Sequence, residues 1–174
     1  MRQASESTAE VPLVSVGVPV FNGEAFLEDA IRSVLAQTLD DLELILCDNA
    51  SNDRTAEICR DYEGRDPRVR YFRNPRNLGA AANYNLAFSH ARGRYFKWLA
   101  HDDRMLPSFL AKTRRILEER ADALLCNTVV PTSIPAAPTS ASTTPGFRAR
   151  TRFPRPSALR GWCCARTPAL ISSD

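Results

Sequence analysis

Residues 14–55, VSVGVPVFNGEAFLEDAIRSVLAQTLDDLELILCDNASNDRT, pass from a strand pattern to a helix pattern and back. Leu13 to Val18 is a β-branched run closed by Pro19, too short for a helix and too apolar for an exposed strand, so it reads as a buried strand. From Ala25 to Leu39 the residues Phe26, Leu27, Ala30, Ile31, Val34 and Leu35 recur at helical spacing, with Glu28, Asp29 and Arg32 opposite them. Leu42 to Cys47 is a second apolar strand and Asp48 to Asp53 a polar turn. Asp53 is placed to cap a helix running from Arg54 to about Glu63, with Gly64 and Pro67 as its stop.

The same alternation continues outward. Val69 to Phe72 reads as a third strand, Ala80 to Ala91 as an Ala-rich helix ending near Gly93, and Tyr95 to Leu99 as a fourth strand. Pro107 to Arg120 gives a helix with Phe109, Leu110, Ile116 and Leu117 inward, and Ala123 to Val130 begins a fifth strand. Strands alternating with helices predict an α/β fold: a mainly parallel sheet with right-handed crossovers, flanked by helices. Ligands of such sheets bind at the carboxyl ends of the strands.

Beyond Val130 the pattern dissolves, and seven of the twelve prolines fall between Pro131 and Pro168 among Ser, Thr, Ala and Arg. That composition buries too little apolar surface to fold alone, which predicts an irregular C-terminal tail. With 174 residues there is room for one domain and a modest appendage. The expected division is a disordered N-terminus at 1–10, a domain at 11–130 and a low-complexity tail at 131–174.

The net charge of +3 hides an asymmetry: Asn127 to Asp174 carries six Arg and one acid, leaving 17 basic against 19 acidic residues before it. An acidic-leaning body without a basic, aromatic-interleaved patch argues against a nucleic-acid partner. No run of about 18 apolar residues occurs, and Met1 to Glu10 has no apolar core, so neither a membrane span nor a signal peptide is expected. The expected location is the cytoplasm, including the inner membrane face. Cys47, Cys59 and Cys126 lie in apolar segments and read as core thiols.

Three polar groups follow strand ends, at Pro19 to Glu24, Asp48 to Asp53 and His101 to Asp103, so the topology gathers them on one rim of the sheet. Asp102 and Asp103 suit a hard divalent cation such as Mg²⁺ or Mn²⁺ sharing phosphate oxygens, although a lone Asp pair equally opens a turn. Asp48 suits a hydrogen bond to a base or ribose; as a turn residue it needs no ligand. Pro19, Val20, Phe21 and Asn22, with Gly23 behind them, offer a rigid bend against a flat base, or an ordinary loop. Asn77-Leu78-Gly79 opens the Ala-rich helix, where free amides suit a phosphate or a simple cap; Asn83 and Asn85 carry the same ambiguity. His101 reads as a metal neighbour or a hydrogen-bonding loop residue. Neither G-x-G-x-x-G nor G-x-x-x-x-G-K-[ST] occurs, which removes the usual dinucleotide and P-loop phosphate cradles.

Residues 14–55 as quoted, together with RNPRNLGAAANYNLAFSHARGRYFKWLAHDD at 73–103, resemble the opening of the family 2 glycosyltransferases, inverting enzymes with a GT-A fold. The likeness covers about Val11 to Cys126. It implies a nucleotide diphosphate sugar donor, with Pro19, Val20, Phe21 and Asn22 along the base, Asp48 on the uracil or its equivalent, and Asp102 on the ribose or metal-bound diphosphate. Asn77 and Asn83 belong to the same nucleotide-sugar-binding set, and the metal falls to Asp102 and Asp103. The acceptor is an unidentified glycan, lipid or other molecule.

Two departures stand out. Ala100 occupies the place of the first carboxylate in the family's acidic motif, and no acid follows Asp122 until Asp174, so no catalytic base is nominated. The alternative is a truncated or frame-disrupted remnant that binds the donor without turnover. A receiver-like phosphoacceptor domain, which needs paired acids after the first strand, meets Pro19-Val20-Phe21-Asn22 there instead.

Overall fold

The computed structural model describes residues 11–128, 147–150 and 163–166. The N-terminus expected to be disordered, 1–10, and the other parts of the Pro-rich segment lie outside the described residues. Four parallel strands, β1 (Val14–Val20), β2 (Leu42–Asp48), β3 (Val69–Arg73) and β4 (Tyr95–Trp98), stand in the order β3-β2-β1-β4. Between them run α1 (Leu27–Leu35), α2 (Thr55–Arg65) and α3 (Ala80–Ser89), followed by α4 (Phe109–Glu119).

β1 and β2 are buried along all seven residues each, which is why their sequences are continuous apolar runs rather than alternating ones. Val14, Val16, Val18, Leu42, Leu44 and Leu46 pack with α1 residues Leu27, Ile31 and Val34, α4 residues Leu110 and Leu117, and Cys59 of α2. The other face meets α3, and there Gly17 is required by close approach, since a Cβ would lie 2.7 Å from the Phe96 ring and 3.2 Å from Ala87.

At the amino ends of the strands, buried Glu43 accepts from Ser15 Oγ (2.6 Å), the Arg92 amide (2.8 Å) and Arg70 Nη1 (2.8 Å), with Arg92 Nη2 at 2.9 Å. Burial alone would push this carboxyl up; the bonds from Ser15, Arg92 and Arg70, with the Arg92 charge, outweigh it and hold the group below the ordinary glutamate range.

Element boundaries move where tertiary contacts compete with local signals. α1 stops at Leu35 rather than Leu39 because buried Gln37 donates to Leu106 O (2.9 Å) and accepts from Leu110 N (3.0 Å), clamping the chain to the start of α4. α2 runs through Gly64 to Arg65, so Pro67 is the actual stop, with Asp66 extended as a residue before proline prefers. Asp53 accepts from Thr55 N (3.0 Å) at the head of α2, yet its other oxygen takes Glu24 N (3.0 Å) from the loop after β1.

Within the segment expected to be an irregular tail, two short stretches are described as strands. β5 (Leu125–Thr128) is followed by β6 (Phe147–Arg150) and β7 (Cys163–Arg166), and the full order is β3-β2-β1-β4-β7-β5-β6. β7 pairs antiparallel with β4 and with β5, and β6 antiparallel with β5. The open edge of β4 supplies backbone donors and acceptors that a segment unable to fold alone can still satisfy.

Candidate functional site

β2 and β3 extend the sheet to one side of β1, whereas β4 returns to the other, so the switch in strand order falls between the carboxyl ends of β1 and β4. An open α/β sheet forms its ligand crevice at such a point. Three loops meet there. The His101 ring, after β4, packs on Gly23, after β1: a Cβ on Gly23 would come within 2.9 Å of it and 2.5 Å of Val20. The loops after β1 and β2 are laced together, Asn22 N donating to Ser51 Oγ (2.9 Å), Gly23 N to Thr55 Oγ1 (2.9 Å), Asn52 N to Asn22 Oδ1 (2.9 Å) and Arg54 N to Glu24 Oε2 (3.0 Å). Asn22 and Ala50 both take positive φ, 52° and 62°, to make this fit.

Of the bend residues, Pro19 and Val20 are buried, whereas Phe21 (40% exposed) and Asn22 face solvent. Pro19 and Val20 therefore belong to the core under the loop, and Phe21 leaves an aromatic ring partly open to solvent. Asp48 is not exposed at the end of β2. It is fully buried, with Oδ1 accepting from Ser51 N (2.8 Å), Oδ2 from Tyr71 OH (2.9 Å), and Arg73 Nε at 3.7 Å. Burial, then the bond to Asp48, push the Tyr71 hydroxyl well above the usual phenol range, so it stays a donor at any working pH.

Asp102 is exposed and Asp103 half-buried at the end of β4. Burial and the adjacent Asp102 charge push the Asp103 carboxyl up, partly opposed by Lys97 and His101. Tyr84 on α3 is likewise pushed up by burial, then by Asp102 and Asp103, which brings that helix into the same field. An Asp103 carboxyl pushed up by burial and by the neighbouring Asp102 charge is a site of concentrated negative charge, the electrostatic condition a divalent cation relieves. Among the described residues no group of three or more His, Cys, Asp or Glu side chains converges as a metal cage. The fit is therefore to a cation held by one or two carboxylates and completed by ligand oxygens.

Asn83 is buried on α3, donating to Cys47 O (2.8 Å), while Asn77 is exposed before it and Asn85 is exposed on the helix. Gly79, at φ 85° and ψ 160°, turns the chain into α3 through a region that only glycine enters freely. Unforeseen from sequence were Asn49, Asn74, Tyr71 and Lys97. A Lys inside the apolar run Tyr95-Phe96-Lys97-Trp98-Leu99 is itself a signal: it is buried, with Nζ 5.5 Å from the Phe109 ring centre. Tyr71 and the two asparagines carried no comparable mark.

The chain is similar to known proteins both in sequence and in fold. A family model described as glycosyl transferase family 2 matches residues 15–166. An uncharacterized glycosyltransferase of Haemophilus influenzae is 37% identical over 122 residues, 70% of this chain and 46% of that protein. The putative teichuronic acid biosynthesis glycosyltransferase TuaG of Bacillus subtilis is 38% identical over 112 residues, 64% of this chain and 44% of that protein. The chain thus spans less than half the length of these relatives. Among solved structures, S. aureus TarS 1-349 in complex with UDP-GlcNAc aligns with a TM-score of 0.60 at 22% identity, over 65% of this chain and 33% of that one. The mannosyltransferase PcManGT from Pyrobaculum calidifontis, in complex with GDP-Man and Mn²⁺, aligns with a TM-score of 0.60 at 24% identity, over 67% and 35%. At such identities the structures speak for the fold, the GT-A fold expected from the sequence. With the family match running from β1 to β7 across the crevice just described, the chain belongs to glycosyl transferase family 2.

Proposed function

We propose that residues 11–130 form a donor-binding domain that takes a nucleoside diphosphate sugar in the crevice between β1 and β4. The sugar then passes, with inversion, to an acceptor hydroxyl. The observation that carries this reading is the meeting of three post-strand loops at the switch point, one carrying the adjacent carboxylates Asp102 and Asp103 and another the exposed aromatic Phe21. Phe21 and Asn22 would border the base. Asp48 would act from beneath, holding Ser51, Tyr71 and Arg73 as the floor of the base pocket. Asp102 and Asp103 would hold Mg²⁺ or Mn²⁺, which when bound neutralises charge on the departing diphosphate. In the transfer, the acceptor oxygen forms its bond to the anomeric carbon as the bond to the diphosphate oxygen breaks, and the acceptor's proton goes to a base. That base is not assigned. TuaG's description makes a cell-envelope polymer the acceptor class to try first.

A second reading, a donor-binding module without turnover, is favoured by one observation: from Ala123 to Ser173 the sequence contains no Asp or Glu. Calorimetric titration of the chain with UDP, UDP-GlcNAc and GDP-mannose, with and without Mn²⁺, tests the shared part of both readings. Metal-strengthened binding is expected, weakened about tenfold or more in Asp102→Ala, as for loss of a charged contact. A folded chain that binds none of the three ligands would refute the donor site; binding without transfer to any envelope acceptor would favour the second reading.

A further inference from the structure

Among the described strands, one pair of partners sets cysteine against cysteine. Cys126 of β5 lies directly opposite Cys164 of β7, and the next position opposes Asn127 to Cys163. Directly opposed residues of an antiparallel pair have Cα atoms about 4.5 Å apart at a non-hydrogen-bonded site and about 5.5 Å apart at a hydrogen-bonded one. Both values lie inside the range of about 4.4–6.8 Å that a disulfide requires. Cys163 stands one residue along the strand, where positions alternate between the two faces of the sheet, so it falls on the other face from Cys164. On its second side Cys164 is opposite Lys97 of β4, the strand that ends just before Asp102 and Asp103. The remaining cysteines have no such partner position: Cys47 opposes Pro19 and Phe72, and Cys59 lies on α2. Burial pushes their thiols up to about 11 and about 12, which leaves little thiolate to exchange.

We propose that Cys126 and Cys164 are a redox site: a disulfide between them staples β7 to β5, and its reduction lets β7 part from the sheet. The oxidant is a small-molecule disulfide such as oxidised glutathione. One protein thiolate attacks a sulfur of the oxidant, forming a mixed disulfide and releasing one glutathione. The second thiolate attacks the protein sulfur of that mixed disulfide, closing the Cys126–Cys164 bond and releasing the other glutathione. The two protons leave the protein thiols for the departing glutathione thiolates, and the two electrons end in the two glutathione thiols. Cys126 is fully buried, so exchange waits on local opening of the short ladder between β5 and β7. The bond closes a long loop, and the covalent link removes the entropy that the open chain loses on bringing its ends together. In a reducing compartment both residues stay thiols, and β7 is held by its strand pairing alone.

The test oxidises the folded full chain with oxidised glutathione, blocks the remaining thiols, digests with trypsin without reduction and sequences the linked peptides by mass spectrometry. Cleavage after Arg120, Arg148, Arg160 and Arg166 puts Cys126 in the peptide 121–148 and both Cys163 and Cys164 in the peptide 161–166. The two peptides are expected to be joined, with fragmentation placing the bond on Cys164, and Cys163→Ser is expected to keep the link. Amide exchange in β5 and β7 is expected to slow about tenfold or more on oxidation and to recover with dithiothreitol. A Cys163–Cys164 disulfide, a bond from Cys126 to Cys163, no bond on Cys126, or exchange that does not change between the two states would each overturn the proposal. The bond is located in the wild-type chain, so the result does not depend on whether a variant folds. Oxidation in urea is expected to lose the preference for Cys164; the same preference there would overturn selection by the sheet.

Discussion

Ala50 shows how the site strains single residues. Its φ of 62° lies in the left-handed region that an L-residue with a Cβ enters at a cost, and no side-chain hydrogen bond offsets it as one does for Asn22. The conformation persists because Ser51 must bring its amide to Asp48 and its hydroxyl to Asn22 N. Ala50→Gly is therefore expected to raise stability by about 0.5–1 kcal/mol, the relief of strain less the added freedom of glycine in the unfolded chain. Urea unfolding of the two proteins measures it, and a destabilised glycine variant would show that the backbone relaxes elsewhere. At this scale the sequence was only partly legible. Asp102 and Asp103 were visible as an adjacent pair, whereas the partners of Asp48 were not, because Tyr71 and Arg73 reach it across the sheet rather than along the chain. The hydrogen bonds of Asn49, Asn74 and Asn83 were hidden for the same reason: they join residues 9 to 36 positions apart.

Among elements, the Glu43 cluster joins β1 and β2 to β3 and to the segment that leads from α3 into β4. The guanidinium side chains are 28% (Arg70) and 49% (Arg92) exposed, so solvent tempers their attraction, but the carboxylate itself is buried. Glu43→Gln is expected to cost about 3 kcal/mol, the low end for removing one partner of a buried ion pair. Because the folded carboxyl titrates below its unfolded value, the unfolded chain binds more protons in between, and the stabilisation is present above the ordinary glutamate range and is lost as pH falls through the folded value. Thermal melts of the two proteins should differ most near neutral pH and converge under acid; a pH-independent gap would assign the effect to packing. Strands and helices were legible as types because their apolar periods are strong, as in α1. Their ends were not, since Gln37 ends α1 by binding residues near the start of α4, about 70 positions away in sequence.

For the whole molecule, burial predicts where stability resides. β1 and β2 are covered on both faces along their length, while β3 at the sheet edge is half-exposed over most of its residues. Amides of Val14–Val20 and Leu42–Asp48 are expected to exchange with solvent only through global unfolding, and those of β3 faster through local opening; equal rates across the three strands would contradict a core centred on β1. By itself the sequence determined the α/β class, the alternation of strands and helices, and the gathering of three polar loops on one rim, because all of these follow from local hydrophobic period and from the geometry of parallel crossovers. Only the tertiary structure decided that Asp48 is buried beneath the crevice, that asparagines far apart in sequence hydrogen-bond to one another, and that two segments of a Pro-rich stretch join the sheet as strands. Hydrogen-bond partners across a sheet are chosen by proximity in space, and a strand can be recruited by an open edge whose demand is not written in the recruited segment.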